Sequence, residues 1–253
     1  MVLVPGPVTP FSGAENDRLR KYLQERNGRV LLLLDPGRDH GLDPVLSEWA
    51  LFSPDAEVQE PDPSRRTTDG DIGVLPNLDK KEHALLKPLL EQNLPLIAAR
   101  LRPAQFDLGS APDSTLSYSP LVISSQASWS ETDFVARPPR FDKNRDQEGP
   151  ICVVAAAERA TGIRQGGAGG RLVVVGTSEI AANSRLDRGG NRAFLTQAAA
   201  WLSDRERAVS IPVRSGGETQ LTATAADLWA LALRFALIPI GVLAVGLLSL
   251  IHI

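Results

Sequence analysis

One cysteine and three histidines in 253 residues leave little material for thiol or metal chemistry. Cys152 lies inside the apolar run Ile151–Ala157, so no intrachain disulfide can form and the thiol reads as a core residue. His40, His83 and His252 are far apart, and no H-E-x-x-H, Cys-x-x-Cys or carboxylate cluster accompanies them. They read as solvated histidines, and neither a metal nor a cofactor is expected. Basic segments are also missing: 27 Lys and Arg are spread along the chain against 30 Asp and Glu, which speaks against a nucleic-acid partner. The glycines Gly166, Gly167, Gly169 and Gly170 precede a strand and lack a following Lys-Ser or Lys-Thr, so they are not a phosphate loop. No secretory signal opens the chain, because Met1–Val4 breaks at Pro5 without a basic flank.

What the sequence does have is a long apolar run at its end. Leu228–Ile253 holds no ionisable residue between Phe235 and Ile251, and roughly twenty helical residues cross a bilayer core. Arg234 is placed where its side chain can reach the headgroups. The organisation expected is a soluble α/β domain over 1–203, a polar linker over 204–227 and a transmembrane anchor over 228–253. Arg205, Arg207 and Arg214 precede the anchor and no Lys or Arg follows it, which alone would put the body in the cytoplasm. Both ends of the chain read as possible cut points in a longer protein.

The first third reads as a βαβ unit. Met1–Val4 is a strand, Ser12 caps a helix with Leu19, Tyr22 and Leu23 on its face, and Asn27-Gly28 ends it. Arg29–Asp35 is then a continuous apolar run, as expected of a strand buried on both faces. A second helix starts near Asp43 or Pro44, Pro54–Gly73 reads as loop, and Asn77–Gln92 carries helical spacing. Leu94–Leu101 and Leu121–Ser125 are short strands; Pro103–Pro120 and Ser128–Gly149 are surface loops. Ile151–Ala155 and Arg171–Gly176 form an antiparallel hairpin, after which Ser178 and Asn191 cap the last helices. The fold class expected is therefore α/β, a mostly parallel sheet flanked by helices.

Two turns invite a functional reading. Asp35-Pro36-Gly37-Arg38 follows a buried strand at its C-terminal end, where open α/β sheets place ligands. Gly176-Thr177-Ser178-Glu179-Ile180 presents a serine on a strand-to-helix turn, half of a G-x-S-x-G elbow whose fifth position is isoleucine. Candidate ligand-binding residues are Asp35, Arg38, Ser178, Glu179 and Asn183. No catalytic residue is expected, and the rival readings are a ligand-sensing domain at this edge or a hydrolase or transferase using Ser178.

The stretch Val30–Gly37, followed by Gly41-Leu42-Asp43 and a Leu-x-x-Trp helix, and the stretch Arg171–Glu179, with Asn183, Gly189-Gly190-Asn191 and Trp201-Leu202, together resemble the GldG-like auxiliary components of ABC-type transport systems, associated with gliding motility. Thr177 and Glu179 depart from that family's usual Gly-Asp-Ser-Asp wording. The resemblance implies a glutamine-amidotransferase-like, flavodoxin-like core held at the cytoplasmic membrane on its extracytoplasmic (periplasmic) side. It also implies a non-catalytic role beside an ABC permease and ATPase. Amidotransferases of that core carry a cysteine on a nucleophile elbow, whereas Cys152 falls within a strand.

Overall fold

A computed structural model describes residues 1–106, 115–133, 138–160 and 168–204. Their elements run β1 (Val2–Pro5), α1 (Gly13–Glu25), β2 (Arg29–Leu33), α2 (Asp43–Ser47), β3 (Leu51–Phe52), β4 (Glu57–Gln59), β5 (Ile72–Pro76), α3 (Lys87–Glu91), β6 (Leu96–Ala98), β7 (Gln105–Phe106), β8 (Leu116–Ile123), β9 (Trp129–Glu131), β10 (Gln147–Glu148), β11 (Cys152–Ala160), β12 (Ala168–Val175) and α4 (Asn191–Leu202). Single 3-10 turns lie at Pro63–Arg65, Leu78–Lys80, Ala84–Leu86 and Glu179–Ala181.

The opening βαβ unit forms as its residues dictate. Ser12 and Glu15 make a reciprocal capping box: the Glu15 N–H donates to Ser12 Oγ and the Ser12 N–H to Glu15 Oε2 at 2.8 Å. Asn27 takes positive φ to end α1, and β2 returns parallel to β1. In β2 and just beyond it Val30, Leu31, Leu32, Leu33 and Leu34 are all buried, at about 1.5–3 kcal/mol for each large apolar side chain. Alternation sends them to two cores. Leu31 and Leu33 join Val173, Val175, Phe194 and Trp201 on one face, while Val30, Leu32 and Leu34 join Leu23, Val45, Leu46 and Trp49 on the other.

The central sheet has seven strands in the order β1-β2-β12-β11-β8-β5-β6. β1–β2 and β2–β12 are parallel; the other four pairings are antiparallel. Five strands thus point one way, with β11 and β5 reversed, and the fold is α/β with a mixed sheet. The expected parallel packing holds at one edge only. The β11–β12 hairpin is antiparallel, as the short glycine-rich connection implies.

Several local readings need correction. Residues read as loop in 54–73, 103–120 and 128–149 supply the beginnings of β5 and β8 and also β4, β7, β9 and β10, strands of two or three residues that are too short to show a period. Asn191 is not the cap of α4, which Gly190 provides through its backbone; the Asn191 side chain instead clamps Ile97, accepting from its N–H at 2.9 Å and donating to its carbonyl at 2.8 Å. Nor are the two described histidines solvated: His40 is 3% exposed, and His83 is half-buried and packs against Trp201 with ring centroids 5.3 Å apart; His252 lies outside the described residues. Among the described residues no helix is long and apolar enough to cross a membrane, and the run 228–253 lies outside them.

Candidate functional site

The three parallel strands end along one edge. β1 runs into Gly6, β2 into Leu34 and Asp35, and β12 into Gly176, Thr177 and Ser178. The Gly6 N–H donates to the Leu33 carbonyl and the Leu34 N–H to that of Val175, both at 2.8 Å, so the ladder holds to its last residue. Asp35 then closes the edge with both carboxylate oxygens. Its Oδ1 accepts the Ser178 N–H at 2.6 Å and its Oδ2 accepts the Ser178 hydroxyl at 2.8 Å. Gly6, at φ +64°, lies against this pair; a Cβ there would come within 2.8 Å of Asp35 Oδ2 and Ser178 Oγ. Only glycine allows both the conformation and the approach.

Asp35, Arg38 and Ser178 are therefore brought together, the adjacency that a ligand site at this edge requires. Arg38 Nη1 stands 3.7 Å from Asp35 Oδ2 on a half-exposed side chain, a contact worth little as an ion pair. Ser178 caps the following turn through its carbonyl, which accepts the Ala181 N–H at 3.0 Å, and not through its hydroxyl, which is given to Asp35. Glu179 turns away: its Oε2 accepts the Ala99 N–H at 2.7 Å, and its own N–H donates to Thr177 Oγ1 at 3.1 Å. Asn183 is exposed and makes no hydrogen bond to Asp35, Arg38 or Ser178.

Arg102 is the residue that sequence reasoning misses. Its side chain is 4% exposed and lies beneath the Asp35–Arg38 turn. Nη1 donates to the carbonyls of Asp35 at 3.2 Å and Arg38 at 2.7 Å, and Nη2 donates to Ser53 O at 2.7 Å. Asp55 stands 3.5 Å away, and its Oδ1 also accepts the Gly37 N–H. Burial lowers the Arg102 pKa from its ordinary value, opposed by Asp55, Asp43, Asp39 and Asp35. The Arg102 N–H donates to the Gly176 carbonyl at 2.6 Å, and a Cβ on Gly176 would overlap the Arg102 carbonyl oxygen. An arginine between Leu101 and Pro103 carries no periodic signal that would mark it as a clamp.

Neither described histidine is available as a base. His40 Nδ1 accepts the Leu42 N–H at 2.9 Å, which leaves its proton on Nε2, 3.4 Å from the Ser53 carbonyl. Burial, and then the charge on Arg102, lower its pKa. His83 Nδ1 accepts the Leu85 N–H, and burial brings its pKa down to about 4. Among the described residues no group of three or more His, Cys, Asp or Glu is arranged to hold a metal. Burial raises the Cys152 thiol to about 12, so it is no nucleophile. The Ser178–Asp35 contact has the length of a nucleophile–base pair, yet the same carboxylate is tied to the Ser178 backbone, and the third side chain near it, Arg38, stands 3.7 Å away without a hydrogen bond. Cavities open elsewhere, on the loop around Phe141, along α4, and beside the ends of β5 and β8.

No family model matches the chain, and no curated protein does. Among solved structures it is similar to the mmIFT52 N-terminal domain, with a TM-score of 0.53 and 17% identity over 79% of this chain and 76% of that one. At that identity the likeness shows the fold alone.

Proposed function

We propose that this chain is a non-catalytic interaction module, tethered to the membrane by the apolar run 228–253, that serves as an auxiliary subunit of an ABC-type transport system. The observation that carries the non-catalytic part is the closure of the strand-end edge: Asp35 spends both oxygens on Ser178, and Arg102 fills the space beneath. An edge that takes a substrate needs polar groups left over for it. The transport part is supported by the GldG-like wording of Val30–Gly37 and Arg171–Glu179.

The experiment is recovery of the full chain from membranes through a tag on its soluble part. An ABC permease and an ATPase recovered in comparable amounts are the expected result, and a chain that purifies alone contradicts it. A second reading, hydrolysis by Ser178 with Asp35 as base, is favoured by their 2.8 Å contact. It requires ester turnover by the purified chain that Ser178→Ala removes.

A further inference from the structure

The loop that crosses the strand-end edge, Asp35–Leu42, is pinned by one imidazole. Its tip residues Gly37, Arg38 and Asp39 are exposed, whereas the His40 ring is buried beneath them. Both ring nitrogens are used. Nδ1 accepts the Leu42 N–H at 2.9 Å, and Nε2 stands 3.4 Å from the Ser53 carbonyl. That carbonyl also accepts from Arg102, from Nε at 3.2 Å and from Nη2 at 2.7 Å, so the imidazole and the guanidinium converge on one oxygen. The backbone beside the ring ties the loop to the start of α1: the His40 carbonyl accepts the Phe11 N–H at 3.0 Å, and the Gly41 carbonyl accepts the Asn16 amide at 2.7 Å.

This slot has no room for a second proton. The neutral ring carries its proton on Nε2, so the next one must go to Nδ1, where it would face the Leu42 N–H donor. The imidazolium would also lie against Arg102. The charged groups around it are Asp35, Arg38 and Asp39 on its own loop, Asp43 on α2, Asp55 after β3, and Arg102 before β7. None of the carboxylates is placed to hold the new charge. Asp43 is 4.0 Å away with its side chain 77% exposed, Asp39 accepts the Gly41 N–H, Asp55 serves the Gly37 N–H and Arg102, and Asp35 serves Ser178. The α1 side brings the Phe11 N–H and the Asn16 amide, which carry no charge. Burial first, and the Arg102 charge next, lower the His40 pKa. The closed loop is therefore favoured fully above about pH 6.5, where a free ring is neutral, and loses ground as pH falls from there toward the lowered value.

We propose that His40 is the catch of an acid-released latch: in mild acid the ring takes up its second proton, leaves its slot and frees the Asp35–Leu42 loop, baring Arg102 at the strand-end edge. Release removes the Asp35 and Arg38 carbonyls from the Arg102 guanidinium, which is 4% exposed while the loop is shut. The strands behind it keep their ladder, since the Leu34 N–H and the Gly6 N–H are held by sheet carbonyls and not by the loop. The latch belongs to the soluble domain and does not depend on the transport reading.

The test is hydrogen–deuterium exchange of the full chain in detergent, read by mass spectrometry at about pH 7.5 and about pH 5.5, a window above the ordinary carboxylate range. Each rate is divided by the intrinsic rate at its pH. The Leu42 amide is expected to exchange well before those of Val30–Leu34 and Leu172–Val175 at both values. Its protection is expected to fall about tenfold across the window, the shift that one histidine with an open-loop pKa near 6.5 supplies. In His40→Asn, whose side-chain oxygen can still accept the Leu42 N–H, protection of Leu42 is expected not to change with pH. Unchanged Leu42 protection in the parent overturns the proposal, and so does an equal fall in His40→Asn. A Leu42 amide that exchanges only together with the strands also overturns it, because acid would then act through unfolding of the whole domain. If His40→Asn does not fold, histidine NMR of the parent takes its place: one ring titrating in step with the Leu42 protection supports the latch, and no such ring overturns it.

Discussion

Two arginines sit at the two ends of the sheet and meet opposite circumstances. Arg102, under the ends of β1, β2 and β12, has three carbonyl acceptors and an aspartate nearby, and the Asp35 and Ser178 side chains above it are bound to each other. Arg65, where β5 and β8 part, has a buried Nη1 with no acceptor and a cleft beside it. The lesson is that, where α/β folds usually bind, the polar side chains of this chain are largely spent on one another, while a buried guanidinium N–H without an acceptor lies at the other end. A site is recognised by what its side chains still lack, not by its position in the topology.

The comparison can be broken at several points. The largest effect belongs to Gly176→Ala, because the added methyl overlaps the Arg102 carbonyl oxygen. The expected loss is about 3 kcal/mol or more, read as the shift of the urea midpoint. Next comes Arg102→Met, which strands the Asp35, Arg38 and Ser53 carbonyls and is expected to cost roughly 3 kcal/mol by the same measurement.

Acid titration adds a third. The unfolded His83 imidazole takes up its proton at its ordinary 6.5, whereas burial delays protonation in the fold to about 4. Acid therefore favours the unfolded chain between those values. Stability is fully present above pH 6.5 and falls by up to about 3 kcal/mol on the way to pH 4, because each pH step between the two values costs about 1.36 kcal/mol. Unfolding curves across that range should show the slope, reduced in His83→Gln. Smaller still is the coupling of Asp35→Ala with Ser178→Ala, about 1–2 kcal/mol in a double-mutant cycle. Smallest is Arg65→Gln, expected to cost no more than about 0.5 kcal/mol, because no acceptor is lost and the buried N–H without one is removed. A cost there as large as that of Arg102→Met would erase the contrast between the two ends.

Much of the parallel edge is readable from the chain, because Val30–Leu34 and Leu172–Val175 are uninterrupted apolar runs with turn residues after them. A strand buried on both faces announces itself, and Asp35 and Ser178 inherit their positions from those runs. The antiparallel half is not readable in the same way. β6 lies within the strand read at Leu94–Leu101 and the end of β8 within that read at Leu121–Ser125, whereas the start of β5 and the first half of β8, which contains Pro120, fall in stretches that read as loop. Arg102, Glu60 and Arg65 fall in stretches that read as loop or as the end of a short strand. Glu60 is fully buried, its carboxylate accepting the Ser125 N–H at 3.0 Å and the Ser125 hydroxyl at 2.7 Å. Nothing local foretells such long-range partners. The histidines mislead for the same reason, since a ring that serves the backbone two residues on looks no different in sequence from one in water.

The measurement that reaches the central claim most directly is recovery of membrane partners by the Ser178→Ala chain beside the parent, both below the midpoint of thermal unfolding. If the strand-end cluster is a closure and the chain works by contact, permease and ATPase are recovered with Ser178→Ala as with the parent. A folded Ser178→Ala chain that loses them, while the parent keeps them, would show that function runs through the serine and contradict the account.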